Sequence, residues 1–353
     1  MKKLSLALGI ALLIGAAQAQ TLTIYASRGE GLVQPIIKDF EKETGIKVNL
    51  RFGPDAEILA ALQEEGGRSP ADIFWANSSG SLEAATKAGL LTKLSPDLLR
   101  RPSEFVPGSG LWTPASVRFR VLAYNPSKIK PAELPASVMD LPKVAKLKGR
   151  IGWTPPYSSF QDFITAMRTL KGEAATKAWL LAMKAAGAKA YPNNPAMLEA
   201  MQAGEIDVGL SNHYYIQRIL AGVQEGEYEG KEEDEDKEKE EAAQKAKEAK
   251  ANVATYYFAK GDVGSLALVT GAAVLKTSKQ PAVAEKFLSY LLNTKTQQFT
   301  VDQVREYPVV SGVKMPAGLL PFADAVQRSP KLDFSKLTDL DGTLKLLREV
   351  GLL

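Results

Sequence analysis

Two short segments of this chain set phenols beside small polar groups. Trp153 to Phe163 reads Trp-Thr-Pro-Pro-Tyr-Ser-Ser-Phe-Gln-Asp-Phe, and Leu210 to Tyr215 reads Leu-Ser-Asn-His-Tyr-Tyr. Pro155 and Pro156 forbid a helix before Tyr157, while Asn212 is suited to cap a helix that starts beneath it. Adjacent side chains point about 100° apart on a helix and to opposite faces on a strand. Tyr214 and Tyr215 can therefore converge only at the terminus of an element. The capped turn after Asn212 would be such a terminus. Core packing, with the hydroxyls at a polar edge, is the other reading of a Tyr-Tyr pair.

The chemistry open to such groups is narrow. The chain has no cysteine, which excludes thiolate metal sites and disulfide scaffolds, so any metal must bind to oxygen or nitrogen. His213 is the single histidine and a metal ligand by residue type. On a turn where both tyrosines face a cleft its ring points elsewhere, so a structural role is expected. There is no Walker-type phosphate loop, and the histidine has no acidic neighbour in sequence. Gly29-Glu30-Gly31 reads as a turn. The chain is read as a binding protein rather than an enzyme, with a secreted hydrolase, its triad assembled in three dimensions, as the alternative from another class.

The elements that must position these groups come from hydrophobic periodicity. Leu22 to Ser27 reads as a strand, Leu32 to Thr44 as an amphipathic helix, and Lys47 to Phe52 and Ile73 to Ala76 as strands. Between the last two, Ile58, Leu59 and Leu62 recur at helical spacing. Strand and helix alternate again from Val117 to Val208, and a strand from Gly264 to Val274 precedes a helix from Pro281 to Leu292. This order predicts α/β architecture with a largely parallel sheet, whose strand ends feed the ligand crevice.

Lys2 and Lys3, the apolar run Leu4 to Gly15 and the small residues Ala17-Gln18-Ala19 form a secretory signal peptide, residues 1–19, that marks the chain for export. The run is shorter than the roughly 20 residues of a membrane span. Glu225 to Lys250 is of another kind, with 12 acidic residues, six lysines and almost nothing apolar; it reads as a peripheral charged insertion. The whole chain carries a formal charge of +4, so the rest is distinctly basic. No Lys/Arg stripe interleaved with aromatics accompanies that charge, so nucleic acid is not expected, and a cleft attracting small anions fits better.

With these residues in view, the chain resembles the periplasmic ferric-binding proteins of iron ABC transporters, within the type II periplasmic binding proteins. The resemblance runs through Thr23-Ile24-Tyr25-Ala26-Ser27-Arg28, Phe40 to Val48, Ser69-Pro70-Ala71-Asp72-Ile73-Phe74, Tyr157-Ser158-Ser159-Phe160, Asn212-His213-Tyr214-Tyr215 and Gly271 to Lys276. The Asn-X-Tyr-Tyr motif with an upstream Tyr-Ser-Ser-Phe block is the specific part.

The resemblance implies two α/β lobes joined by a hinge, with residues 20–118 and 268–318 in lobe 1 and residues 119–267 and 319–353 in lobe 2. Residues 225–250 would then be an insertion in lobe 2. It implies Fe(III) held in the interlobe cleft by Tyr157, Tyr214 and Tyr215, the all-tyrosine subset. Gly29 and Asn77 stand where other members place a histidine and a glutamate. A carbonate or bicarbonate anion would complete the site, held by Arg28, Ser158, Ser159 and Asn212, with Ser27, Asn77 and Asn194 behind. A monomeric periplasmic protein serving an ABC permease is expected. Such a site suits Fe(III), a hard cation that prefers anionic oxygen and offsets the cost of ionising a phenol of pKa about 10. The alternative binder takes a small oxyanion or phosphonate on Arg28 and the serines, with the tyrosines as walls.

Overall fold

The computed structural model describes residues 20–222 and 252–353; the signal-peptide and charged-insertion assignments lie outside them. In chain order the strands are β1 (Thr21–Ala26), β2 (Lys47–Phe52), β3 (Ile73–Ala76), β4 (Thr113–Tyr124), β5 (Ile151–Trp153), β6 (Lys189–Ala190), β7 (Val208–Asn212), β8 (Ala254–Tyr256) and β9 (Ala267–Val274). The helices are α1 (Glu30–Thr44), α2 (Asp55–Glu65), α3 (Ser79–Lys87), α4 (Ser158–Lys171), α5 (Glu173–Ala185) and α6 (Asn194–Gln202), then α7 (His213–Ala221), α8 (Pro281–Leu291), α9 (Thr294–Val304), α10 (Phe322–Arg328) and α11 (Leu340–Glu349).

Apolar residues at helical spacing make α1: Val33, Ile36, Ile37 and Phe40 are buried, and the helix stops at Gly45, whose φ of 71° is the left-handed conformation that glycine adopts without a Cβ penalty. Gly29-Glu30-Gly31, expected to form a turn, instead opens this helix, with Gly29 at its N-cap.

The strand order β2-β1-β3-β9-β4-β7-β5-β6, with β8 on β4, divides at β4. Thr113 to Phe119 pair with β9, and Arg120 to Tyr124 pair with β7 on one side, while Leu122 to Tyr124 pair with β8 on the other. All 12 residues of β4 are buried. One uninterrupted strand therefore belongs to both lobes, and the chain returns between them ahead of β9. The pairings β1–β2, β1–β3, β5–β6 and β5–β7 are parallel, as expected from the strand and helix alternation. The crossing strands β4 and β9 are antiparallel to their neighbours, because each re-enters a sheet from the opposite lobe. The sheet is thus mixed.

Each lobe has its own apolar core. One gathers Ile24, Phe40, Phe74, Trp112, Phe119 and Phe287. The other gathers Trp153, Phe160, Phe163, Trp179, Leu346 and Leu347, with a satellite around Met197, Met201 and Ile216. The C-terminal residues, expected in the second lobe, divide between the two: Ala325, Phe334 and Leu337 pack in the first core, and Leu346, Leu347 and Val350 in the second.

Candidate functional site

The two phenol-bearing segments meet in space. Tyr157 is the N-cap residue of α4, held extended after the two prolines, and Tyr214 and Tyr215 lie in the first turn of α7. The Tyr157 and Tyr215 hydroxyls are 2.6 Å apart, and the rings of Tyr214 and Tyr215 lie 4.2 Å apart, centroid to centroid. Tyr214 and Tyr215 are buried, while Tyr157 is half-exposed. Two helix N-termini thus present the phenols to one another; partial positive charge there favours an anionic oxygen. Burial, with the neighbouring Tyr157, pushes the Tyr214 phenol well above its ordinary pKa, and Arg118 opposes that shift.

Three guanidinium groups lie beside or behind these phenols. Arg118 and Arg120, at alternate positions of β4, are both buried. Arg120 donates to Asn212 Oδ1 at 3.0 Å, to the Leu210 carbonyl at 3.0 Å and to Ser159 Oγ at 3.4 Å. Burial lowers its pKa to about 9, with Tyr214 and Tyr215 acting in the opposite sense. Arg118 donates to Asn77 Oδ1 and to the Asn77 carbonyl, each at 2.7 Å.

The third group is Arg28. It donates to Asn77 Oδ1 at 2.9 Å and to Glu306 Oε2 at 3.0 Å, so both ends of its fork are already engaged within the protein. Glu306 is buried against Arg28, Arg118 and Ser116. Burial alone would raise its pKa, but the two arginines outweigh that and hold the carboxyl below its usual range.

Asn212 stands at the N-cap of α7, yet its side chain makes no capping bond, and its carbonyl oxygen is turned to Arg120 instead. The buried Arg120 guanidinium is charged and demands that acceptor more than a neutral backbone N–H of the helix start does. Both ring nitrogens of His213 are taken by backbone groups, and the ring stands edge-on to that of Tyr214, 6.0 Å away centroid to centroid. Its Nδ1 accepts from the Phe119 N–H at 3.1 Å, which leaves Nε2–H to donate to the Arg305 carbonyl at 3.0 Å. Burial lowers its pKa to about 4.

Ser158 is exposed and Ser159 buried at the start of α4. Asn194 is buried at the N-terminus of α6, accepting from Thr154 at 3.4 Å. Buried donors on Asn212 (Nδ2), Asn194 (Nδ2) and Arg118 (Nε) have no partner, while the Ser27 hydroxyl faces the Asp55 carboxylate. Unpaired buried donors are costly and ask for an acceptor such as an oxyanion.

Sequence reasoning missed Arg118, Arg120 and Glu306. A signal for the arginines was present: charged residues at i and i+2 put two cations on one face of an otherwise apolar strand. Glu306 follows Arg305, the single non-glycine residue with positive φ among the described residues (64°), and nothing local foretells its partners. Asp162 of α4 was missed too; burial raises its carboxyl pKa to about 7, with Arg118 opposing. Among the described residues no three His, Asp or Glu side chains cluster as a metal site, and no helix is long and apolar enough to cross a membrane.

Comparison with known proteins agrees with this architecture. The chain is 33% identical over 340 residues to the Fe(3+)-binding periplasmic protein of Serratia marcescens, covering 96% of this chain and 92% of that one. It is 29% identical over 352 residues to the major ferric iron-binding protein of Neisseria meningitidis, covering 97% and 98%. Iron-bound HitA from Pseudomonas aeruginosa superposes with a TM-score of 0.79 at 35% identity, over 94% of this chain and 99% of that one. Its type II two-lobe fold is the one seen here. Since the model of the bacterial extracellular solute-binding proteins also matches residues 25–298, most of both lobes, the chain belongs to that family.

Proposed function

We propose that this protein captures Fe(III) between its lobes through the phenolates of Tyr157, Tyr214 and Tyr215, together with a carbonate or bicarbonate anion, and delivers it to an ABC importer. The observation that carries this reading is the meeting of the three phenols, from segments 58 residues apart, beside buried guanidinium groups. Three phenolates balance the charge of Fe(III), and anionic oxygen is the donor that this hard cation prefers. Relatives named for ferric binding along nearly their whole length support the same cargo.

The anion has donors ready: Asn212 Nδ2, Asn194 Nδ2 and Arg118 Nε are buried without partners, and Ser158 and Ser159 stand at the N-terminus of α4. Arg28 adds charge from behind Asn77, with only the N–H bonds not given to Asn77 and Glu306 to offer. Ser27, Asn77 and Asn194 form the supporting layer. The sequence supports export by a cleaved leader and a periplasmic location, and the family resemblance implies a monomer that delivers to a membrane permease. The solute-binding family supports carriage rather than catalysis.

The guanidinium groups favour one other reading, a carrier of a small oxyanion or phosphonate. Titration of iron-stripped protein with chelated Fe(III), with and without bicarbonate, separates the two. Tyrosinate-to-iron charge transfer should give a visible colour that bicarbonate intensifies and protects from competing chelator. Colourless protein that tightens on phosphate or phosphonate alone would establish the oxyanion reading.

A further inference from the structure

The chain passes between the lobes once more near its C-terminus. Phe334 sets its ring 6.2 Å from that of Trp112, and Leu337 sits in the same first core. By Leu346 the chain is in the second core. The residues between form a short strap, and two glycines give it room.

On the first lobe the Leu337 carbonyl lies against the first turn of α3 at Gly80. A Cβ there would stand 2.9 Å from that oxygen and 3.9 Å from Asp162 Oδ1 of α4. On the second lobe Arg168 of α4 donates to the Asp339 carbonyl at 3.0 Å and to its carboxylate at 2.8 Å, and the hydroxyls of Thr165 and Thr343 are 2.7 Å apart. A Cβ at Gly342 would run into both the Asp339 carboxylate and the Arg168 guanidinium. Neither glycine is among those with positive φ, so neither answers a backbone need. The strap also floors a cavity of about 460 Å³ walled by α2 and α3 of one lobe and α4 of the other.

We infer that this C-terminal strap, seated against Gly80 of α3 on one lobe and clamped by Arg168 and Thr165 of α4 beside its own Gly342 on the other, is a latch that sets how readily the cleft opens. Gly80 and Gly342 act as positioning residues for closure. A methyl at Gly80 meets backbone, which cannot swing aside, so the strap must lift and the lobes part. A methyl at Gly342 meets only side-chain ends, so it loosens the Arg168 clamp at smaller cost. The part of this inference that concerns release rests on the ferric reading; the part that concerns lobe spacing does not.

The test uses the full chain and its lack of cysteine. Lys42→Cys on α1 and Ala178→Cys on α5 carry spin labels that report the interlobe distance. Gly80→Ala should lengthen or broaden that distance and speed ferric release to a chelator several-fold. The melting temperature should fall only modestly, since the better helix propensity of alanine partly offsets the clash with the Leu337 carbonyl. Gly342→Ala should act in the same direction more weakly, and it serves as the test if Gly80→Ala fails to fold. Distances and release rates equal to the parent's would overturn the latch, as would longer distances with unchanged release. If the parent takes up no iron, the ferric reading fails, and the distances in iron-free protein still decide whether the strap holds the lobes.

Discussion

The hydroxyl oxygens of Tyr157 and Tyr215 lie 2.6 Å apart although 58 residues separate them in the chain. At that distance one phenol must donate to the other, and both can be ionised together only with a cation between or beside them. On the ferric reading proposed above, that cation is the metal itself.

Replacing any one of the three tyrosines by Phe removes one charged oxygen and leaves the ring packing intact. Tyr157→Phe, Tyr214→Phe and Tyr215→Phe should each weaken ferric binding by more than about 100-fold, above the range usual for residues behind the ligands. Melting temperatures should barely move. Chelator competition and the visible spectrum check this, and an unchanged band in Tyr157→Phe would remove that residue from the ligand set.

Ferric affinity should rise with pH. Burial, and then the neighbouring Tyr157, keep Tyr214 protonated well above its ordinary pKa in the iron-free protein, so binding must displace a proton. Each displaced proton contributes about a tenfold change in apparent affinity per pH unit. A plot of log affinity against pH should have positive slope, approaching three if all three phenols ionise. A flat plot after correction for the chelator would contradict tyrosinate ligation.

Glu306 is the counter-charge to two buried arginines, and Glu306→Gln should leave them uncompensated. Loss of one partner from a buried ion pair costs roughly 3–5 kcal/mol, and urea unfolding at neutral pH should show a loss of that order. The folded pKa lies below the unfolded value of about 4.3. The carboxylate's contribution is therefore present above that value and lost as pH falls through the folded pKa. Parent and variant should converge in acid. A deficit below about 1 kcal/mol at neutral pH would mean that Glu306 is not holding the arginines.

His213 is neutral in the folded protein, with its pKa lowered to about 4 against an unfolded value of about 6.5. The unfolded chain takes up a proton first, so stability falls as pH drops between those values, by up to about 3 kcal/mol. His213→Ala should flatten that part of the stability curve while keeping the ferric colour. Loss of colour with stability intact would make the imidazole part of the site.

Much of this protein follows from local chemistry. Alternation of apolar residues marks the strands and helices of both lobes, and Pro155 and Pro156 hold Tyr157 outside α4. The succession of Asn212, His213, Tyr214 and Tyr215 marks a helix start with two phenols in its first turn, although Asn212 does not cap it with its side chain. Periodicity and capping are properties of a few neighbouring residues, so they can be read in one dimension. Arg28 could be placed at the end of β1 but not assigned a partner, since Glu306 lies 278 residues away. The turn of Asn212 toward Arg120, the division of the C-terminal residues between two cores and the contact of Leu337 with Gly80 are likewise tertiary. Each is settled by which buried charge or backbone atom another segment brings near, a long-range packing outcome that no local pattern encodes.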